Sequence, residues 1–238
     1  MKLTILGNNG GYPKGNGACS GYLLENEQVQ VIFDLGAGTL SNLLSINDGT
    51  KLDAVFITHL HWDHISDLFV LQYLLEKRGQ VLPLYLPKTP ENIYEILSDI
   101  KNFDVHPISD GDEVTIKNMK FSFKKMRHPV ETYAIKASDE RNHSCLYTGD
   151  TGVCQALKDF AQDTHTLLCD CTYVDNPDEN KHLSAEQAAE IAENAGVRHL
   201  ILTHFDPQVN PRDYAIIAER ILRQGRVTKS EIMLTFNI

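Results

Sequence analysis

Three histidines and an aspartate fall within six residues of Thr58-His59-Leu60-His61-Trp62-Asp63-His64, directly after the apolar run Ala54-Val55-Phe56-Ile57. Side chains alternate along an extended strand, so His59 and His61 would share one face, with Asp63 and His64 following at the turn into a helix. A solvated polar turn is the plain alternative. Four donors at the spacing H-x-H-x-D-H behind a buried strand suit metal ions better, and two ions better than one. Imidazole nitrogen and carboxylate oxygen are zinc donors, and an ion with open positions lowers the pKa of its water to about 7. The chemistry expected is hydrolysis.

Other candidates stand at strand ends further along the chain. His128 follows a strand in Arg127-His128-Pro129, and His204 closes the run LILTHF. Asp150, between Gly149 and Gly152, could bridge two cations through its carboxylate or serve as a turn residue. Asp34, in FDLGAGT, could be a ligand, the partner of a ligand, or a turn residue that bonds its own backbone. The pairs VFITHL with LILTHF and IFDLGAG with LYTGDTG suggest two similar halves whose strand ends converge on one site. His182 lies just before a helix whose Ser184 and Gln187 have capping-box spacing. There exposed amides would favour a phosphate, with His182 near enough to donate a proton. His106, His143, His165 and His199 have no such setting and read as surface or structural residues.

The elements that must position these groups follow from apolar patterning and turn chemistry. Strands are expected at Lys2 to Leu6, Tyr22 to Leu24, Val29 to Phe33, Asp53 to Thr58, Leu82 to Leu86 and Val105 to Ile108. Further strands are expected at Glu113 to Ile116, Lys120 to Met126, Ser144 to Thr148, Thr166 to Thr172, His199 to Thr203 and Ile232 to Phe236. Helices are expected at Thr39 to Ile46, from Ile65 up to Gly79, at Pro90 to Lys101, from Ser184 to Gly196 and around Asp213 to Arg223. The glycine-rich stretch after Leu6 lacks the lysine and hydroxyl of a phosphate loop and reads as a turn rimming the site.

No linker divides the chain, so residues 1–238 are expected to form one domain. No apolar run approaches the roughly 18 residues needed to span a bilayer, and the N-terminus has no signal-peptide pattern, so a cytoplasmic protein is expected. The five cysteines are an odd number in apolar surroundings and read as reduced, buried thiols. Cys169 and Cys171 are expected to face opposite ways, which speaks against a zinc pair. The net charge of −10 is opposite to that of a general polyanion binder, so any nucleic acid would have to be held locally.

With FDLGAGT, THLHWDH, the histidine of RHPVETYAIK, YTGDTG and LILTHF in order, the chain resembles metallo-β-lactamase superfamily hydrolases over nearly its full length. Within them, KHLSAEQAAEIA followed by LILTHFDP resembles the ribonuclease Z branch and its smaller phosphodiesterase relatives. The resemblance implies an α/β, four-layer αββα sandwich with the metals at one edge. It implies two divalent ions, with zinc the first choice and manganese, iron or cobalt fitting the same donors. It further implies His59, His61 and His128 on one ion, Asp63, His64 and His204 on the other, Asp150 bridging, and His182 facing the scissile phosphate. Asp170 would stand in for the family's glutamate as the partner of His182, and Asp63 would orient or deprotonate the water. His128 and Asp150 are 22 positions apart, too close for the protruding arm of tRNA-processing relatives. The expected activity is a phosphodiesterase in which a metal-held hydroxide attacks small, cyclic nucleotide-like diesters. A tRNA 3′-processing endonuclease and a lactonase or thioesterase are the rivals. RNA is disfavoured as a partner, no membrane contact is expected, and the resemblance extends the homodimer common among relatives to this chain as an expectation.

Overall fold

Period-2 alternation along buried strands dictates a layered molecule, and a computed structural model shows where each face goes; it describes residues 1–49, 51–175, 177–178 and 180–238. The first half of the chain supplies β1 (Lys2–Gly7), β2 (Gly21–Glu25), β3 (Gln30–Leu35), β4 (Ala54–Phe56), β5 (Leu82–Leu86) and β6 (Phe103–Pro107). Between them lie α1 (Thr39–Ile46), α2 (Trp62–Ile65), α3 (Leu68–Arg78) and α4 (Glu91–Ser98). The second half supplies β7 (Glu113–Ile116), β8 (Met119–Lys125), β9 (Tyr133–Asp139), β10 (Ser144–Tyr147), β11 (Thr166–Asp170), β12 (His199–Thr203) and β13 (Arg226–Lys229). Its helices are α5 (Gln155–Phe160), α6 (Ala185–Asn194) and α7 (Pro211–Ala218), after which β14 (Thr235–Asn237) returns to pair with β1.

Two seven-stranded sheets result, in the orders β14-β1-β2-β3-β4-β5-β6 and β13-β12-β11-β10-β9-β8-β7. Each runs antiparallel into β3 or β10 and parallel from there outward. Val31 and Phe33 of β3 and Ala54 and Phe56 of β4 face the second sheet, where they meet Phe121, Tyr147, Leu168 and Ile201. The alternate residues Ile32, Leu35, Val55 and Ile57 pack under the helices of the first half. Leu167, Leu200 and Leu202 do the same under α5, α6 and α7. The chain is therefore an α/β protein with the αββα layering of the metallo-β-lactamase fold. Truncating a ring between the sheets, such as Phe56 to alanine, should cost about 3–5 kcal/mol.

Several expectations are corrected. The helix expected from Ile65 is two helices, because Asp67 breaks the run: its side chain accepts from the Leu40 amide at 2.8 Å, capping α1, and its own amide bonds Leu35 O at 2.9 Å. The strand expected at Ile232 to Phe236 shortens to β14, whereas β9, α5 and β13 were not anticipated. Cys169 and Cys171 do not diverge. Two residues apart on extended backbone, they share a face, and both pack in the core beneath α6. Burial pushes both thiols well above their ordinary range, as suits inert buried cysteines.

Candidate metal centre

Every candidate ligand leaves the same edge of the sandwich. His59 and His61 lie on the extended segment after β4, Asp63 and His64 on α2, His128 after β8, Asp150 after β10 and His204 after β12. Glycines let these turns crowd together. A Cβ on Gly36 would stand 1.8 Å from Asp63 O, and one on Gly10 would stand 2.6 Å from the His204 ring. Asp34 and His204 both take left-handed backbone, φ 54 and 59, which is uncommon outside glycine and aims each side chain inward. Asp34 is the extra residue where β3 bulges against β2, since Phe33 opposes Tyr22 and Leu35 opposes Gly21.

The donor atoms form two groups. His59 Nε2 lies 3.0 Å from His61 Nδ1 and 3.4 Å from Asp150 Oδ2, and His128 Nε2 lies 3.3 Å from His61 Nδ1. His64 Nε2 and His204 Nε2 lie 3.3 Å apart, and each is 3.3 Å from Asp150 Oδ1. Asp63 Oδ2 completes the second group at 3.3 Å from His204 Nε2 and 3.5 Å from His64 Nε2. Asp150, with an oxygen in each group, joins them.

Hydrogen bonds on the far side of each ring decide which nitrogen keeps its proton. His64 Nδ1 donates to Asp34 Oδ2 at 2.7 Å, and His128 Nδ1 donates to Lys181 O at 2.9 Å. The Thr58 hydroxyl donates to Asp34 Oδ2 and so accepts from His59 Nδ1 at 3.0 Å. Likewise the Thr172 hydroxyl donates to Asp170 Oδ1 and accepts from His204 Nδ1 at 2.7 Å. In all four rings this leaves the Nε2 lone pair facing the centre. Asp150 Oδ1 is a buried oxygen with no hydrogen-bond partner among the described residues. Lone pairs and a bare carboxylate oxygen about 3.3 Å apart repel one another unless a cation sits among them.

Protons register the same demand for positive charge. Burial opposes charging His204, yet Asp150, Asp170 and Asp63 push its pKa up to about 10. His64 is also raised well above its ordinary value, because Asp150, Asp63 and Asp34 outweigh its desolvation. His59 goes the other way: burial and the neighbouring His64 hold it neutral, down to about 4. Two divalent cations fit these residues, with His59, His61, His128 and Asp150 around one and Asp63, His64, His204 and Asp150 around the other. The nitrogen and oxygen donors suit zinc, manganese, iron or cobalt alike.

His182 stands at the rim, its side chain 15% exposed, with Nδ1 donating to Asp170 Oδ2 at 3.0 Å. Its ring stacks on His204 with centroids 5.1 Å apart and lies edge-on to His128 at 5.4 Å. Burial lowers its pKa, but Asp170 more than compensates, so the net shift is upward. The Ser184–Gln187 capping box forms as expected and fixes the start of α6 two residues on. Asp34 resolves as the partner of His64, and it also accepts from the Thr58 amide and the Tyr147 hydroxyl. The glycine-rich turn does rim the site, where the Gly11 amide donates to Asp63 Oδ2 at 2.7 Å. Among the histidines set aside, His199 is buried against Arg226 and Thr228, away from the centre.

Sequence reasoning passed over Thr58, Thr172, Tyr147 and the Lys181 carbonyl. Thr58 adjoins the first ligand, a signal that could have been read; the others come close only through the fold.

The sequence pattern of the family described as "Beta-lactamase superfamily domain" matches residues 29–205. The chain belongs to this superfamily, and its fold and donor set are those of a metallo-hydrolase. It is 31% identical over 213 residues to "Probable metallo-hydrolase YhfI" of Bacillus subtilis, covering 86% of this chain and 87% of that one. The crystal structure of YhfI superposes with a TM-score of 0.93 over 99% of this chain and 98% of the other. A ribonuclease Z of Streptomyces coelicolor is 24% identical over 283 residues, covering 95% and 94% of the two chains. A diphosphatase of the PhnP family shares the fold at a TM-score of 0.79 and 19% identity, covering 100% of this chain and 97% of that one. Among the described residues, no helix is long and apolar enough to cross a membrane.

Proposed function

We propose that this protein is a phosphodiesterase that hydrolyses small diesters, of cyclic nucleotide size, at a dinuclear centre. When bound, the two ions supply Lewis acidity toward phosphoryl oxygens and water acidic enough to ionise near neutral pH. The chain's own residues do the rest. Asp63, with Oδ2 tied to the Gly11 amide, keeps its other oxygen to orient or deprotonate the attacking water. His182, with Nδ1 committed to Asp170, offers Nε2 to the leaving oxygen; that nitrogen has no partner among the described residues. This His182–Asp170 pair carries the reading. An alkoxide leaving a phosphodiester needs a proton, and the carboxylate keeps the imidazole charged to higher pH than a free histidine.

A small substrate is supported by the short segment between His128 and Asp150, which holds β9 and β10 and their turn at residues 140–143. No arm rises there to grip a folded RNA. The cytoplasm remains the compartment we propose, and a homodimer the assembly.

The test is a pair of substrates. His182→Ala should lose on the order of 10² to 10⁴ in kcat on an alkyl-leaving diester and far less on a nitrophenyl diester, which leaves without protonation. Equal losses on both, or efficient cleavage of a 3′-extended tRNA precursor with small diesters poor, would overturn the reading.

A further inference from the structure

Beside His128 the surface carries a shallow groove of about 580 Å³ that the catalytic constellation does not use. Met126, Val153 and Ala156 line it, and Lys125, Arg127 and Lys158 supply its charge. Among the described residues no carboxylate lines it, although the chain as a whole carries ten more acidic than basic residues. The turns that build it are the ones that carry the ligands. Gly152 N donates to Arg127 O at 2.8 Å and Arg127 N to Thr151 Oγ1 at 3.3 Å, which locks the His128 turn to the Asp150 turn. Among the described residues, Arg127 Nη1 reaches only Val153 O, at 3.4 Å, which leaves most of the guanidinium's donors unused there. Among the described residues, Lys158 makes no ion pair. Asp110 and Glu131 act on Lys125 from outside the groove, and Glu190 of α6 lines with Lys158 a small neighbouring cavity outside it, so within the groove Arg127 and Lys158 face no carboxylate among the described residues.

We propose that this groove binds a second phosphate of the substrate, so that the preferred small diester is one that carries a further phosphate group. The inference rests on the phosphodiesterase reading above. Arg127 adjoins the ligand His128 in sequence, with consecutive Cα atoms about 3.8 Å apart, so the groove opens from a turn that carries a ligand. A guanidinium and an ammonium together match a phosphate's oxygens and charge.

Three linear dinucleotides with the same scissile diester test this: one unphosphorylated, one with a 5′-terminal phosphate and one with a 3′-terminal phosphate. In the metal-loaded protein at low salt, one phosphorylated form should exceed the unphosphorylated one in kcat/KM by about tenfold or more, and added salt should shrink the ratio. The Arg127→Ala/Lys158→Ala variant should bring that ratio near one; being a ratio, it is insensitive to a general loss of activity or folded fraction. Bis(p-nitrophenyl) phosphate separates the two claims. If the wild type hydrolyses it but favours neither phosphorylated dinucleotide, or if the double variant keeps the preference, the groove proposal is overturned. If the wild type hydrolyses no diester at all, it is the phosphodiesterase reading that fails.

Discussion

Each half of the molecule contains one histidine held through Nδ1 by a buried aspartate, and the two pairs do different work. In the first half, His64 bonds Asp34 at 2.7 Å with both side chains fully buried. In the second, His182 bonds Asp170 at 3.0 Å with the imidazole 15% exposed. The chemical unit is the same; its surroundings are not. Nε2 of His64 faces Asp63, Asp150 and His204, a group whose crowded lone pairs call for positive charge. Nε2 of His182 has no partner among the described residues, which would leave it free for the leaving oxygen of the substrate proposed above. On the reading proposed above, burial makes one His–Asp pair a ligand and partial exposure makes the other the acid.

A parallel contrast separates Asp34 from Asp150. Both stand at the end of the strand where their sheet changes from antiparallel to parallel, Asp34 within β3 and Asp150 just past β10. The bulge in β3 points Asp34 at three donors of its own half and at Tyr147 of the other, so its charge is spent on hydrogen bonds. Asp150, three residues beyond β10, keeps Oδ1 without a hydrogen-bond partner among the described residues.

Substitutions should separate these roles. The largest loss is expected for Asp150→Ala, which removes the side chain shared by both donor groups; turnover should nearly vanish and metal content fall. Asp34→Ala should act through affinity instead. Freed of its partner, the His64 ring should weaken the second ion by about 10- to 100-fold, and activity should return when metal is added in excess. Equal, unrescued losses for the two variants would erase the distinction. The smallest effect is expected for Asp170→Asn, as a displaced pH profile. Burial depresses the His182 pKa and Asp170 raises it above the ordinary value, so the acid stays protonated, and active, up to that raised pKa. Without the carboxylate the pKa falls, and the alkaline limb of kcat on an alkyl-leaving diester should move to lower pH. A shift to higher pH would contradict the assignment.

The layered fold was legible because buried strands alternate and the strand-end motifs announce themselves. The donors were legible because histidine and aspartate at those spacings have few other uses. The inward aim of Asp34 was not, since a bulge depends on the partner strand. Nor was the Thr172 hydroxyl, which meets His204 only once β11 and β12 lie side by side at Asp170 and Thr203. The likeness of VFITHL and LILTHF agreed with two halves converging on one site but did not show which strands correspond. It sets β4 beside β12, whereas in strand order the counterpart of β4 is β11. Local sequence thus marked both histidines without marking equivalent places in the fold.

The central claim is that both halves of the chain supply one dinuclear centre. Elemental analysis of active protein never exposed to a chelator tests it most directly. Two divalent ions per chain are expected, falling to one or fewer in Asp150→Ala. A wild-type value near one or zero with full activity would contradict the account.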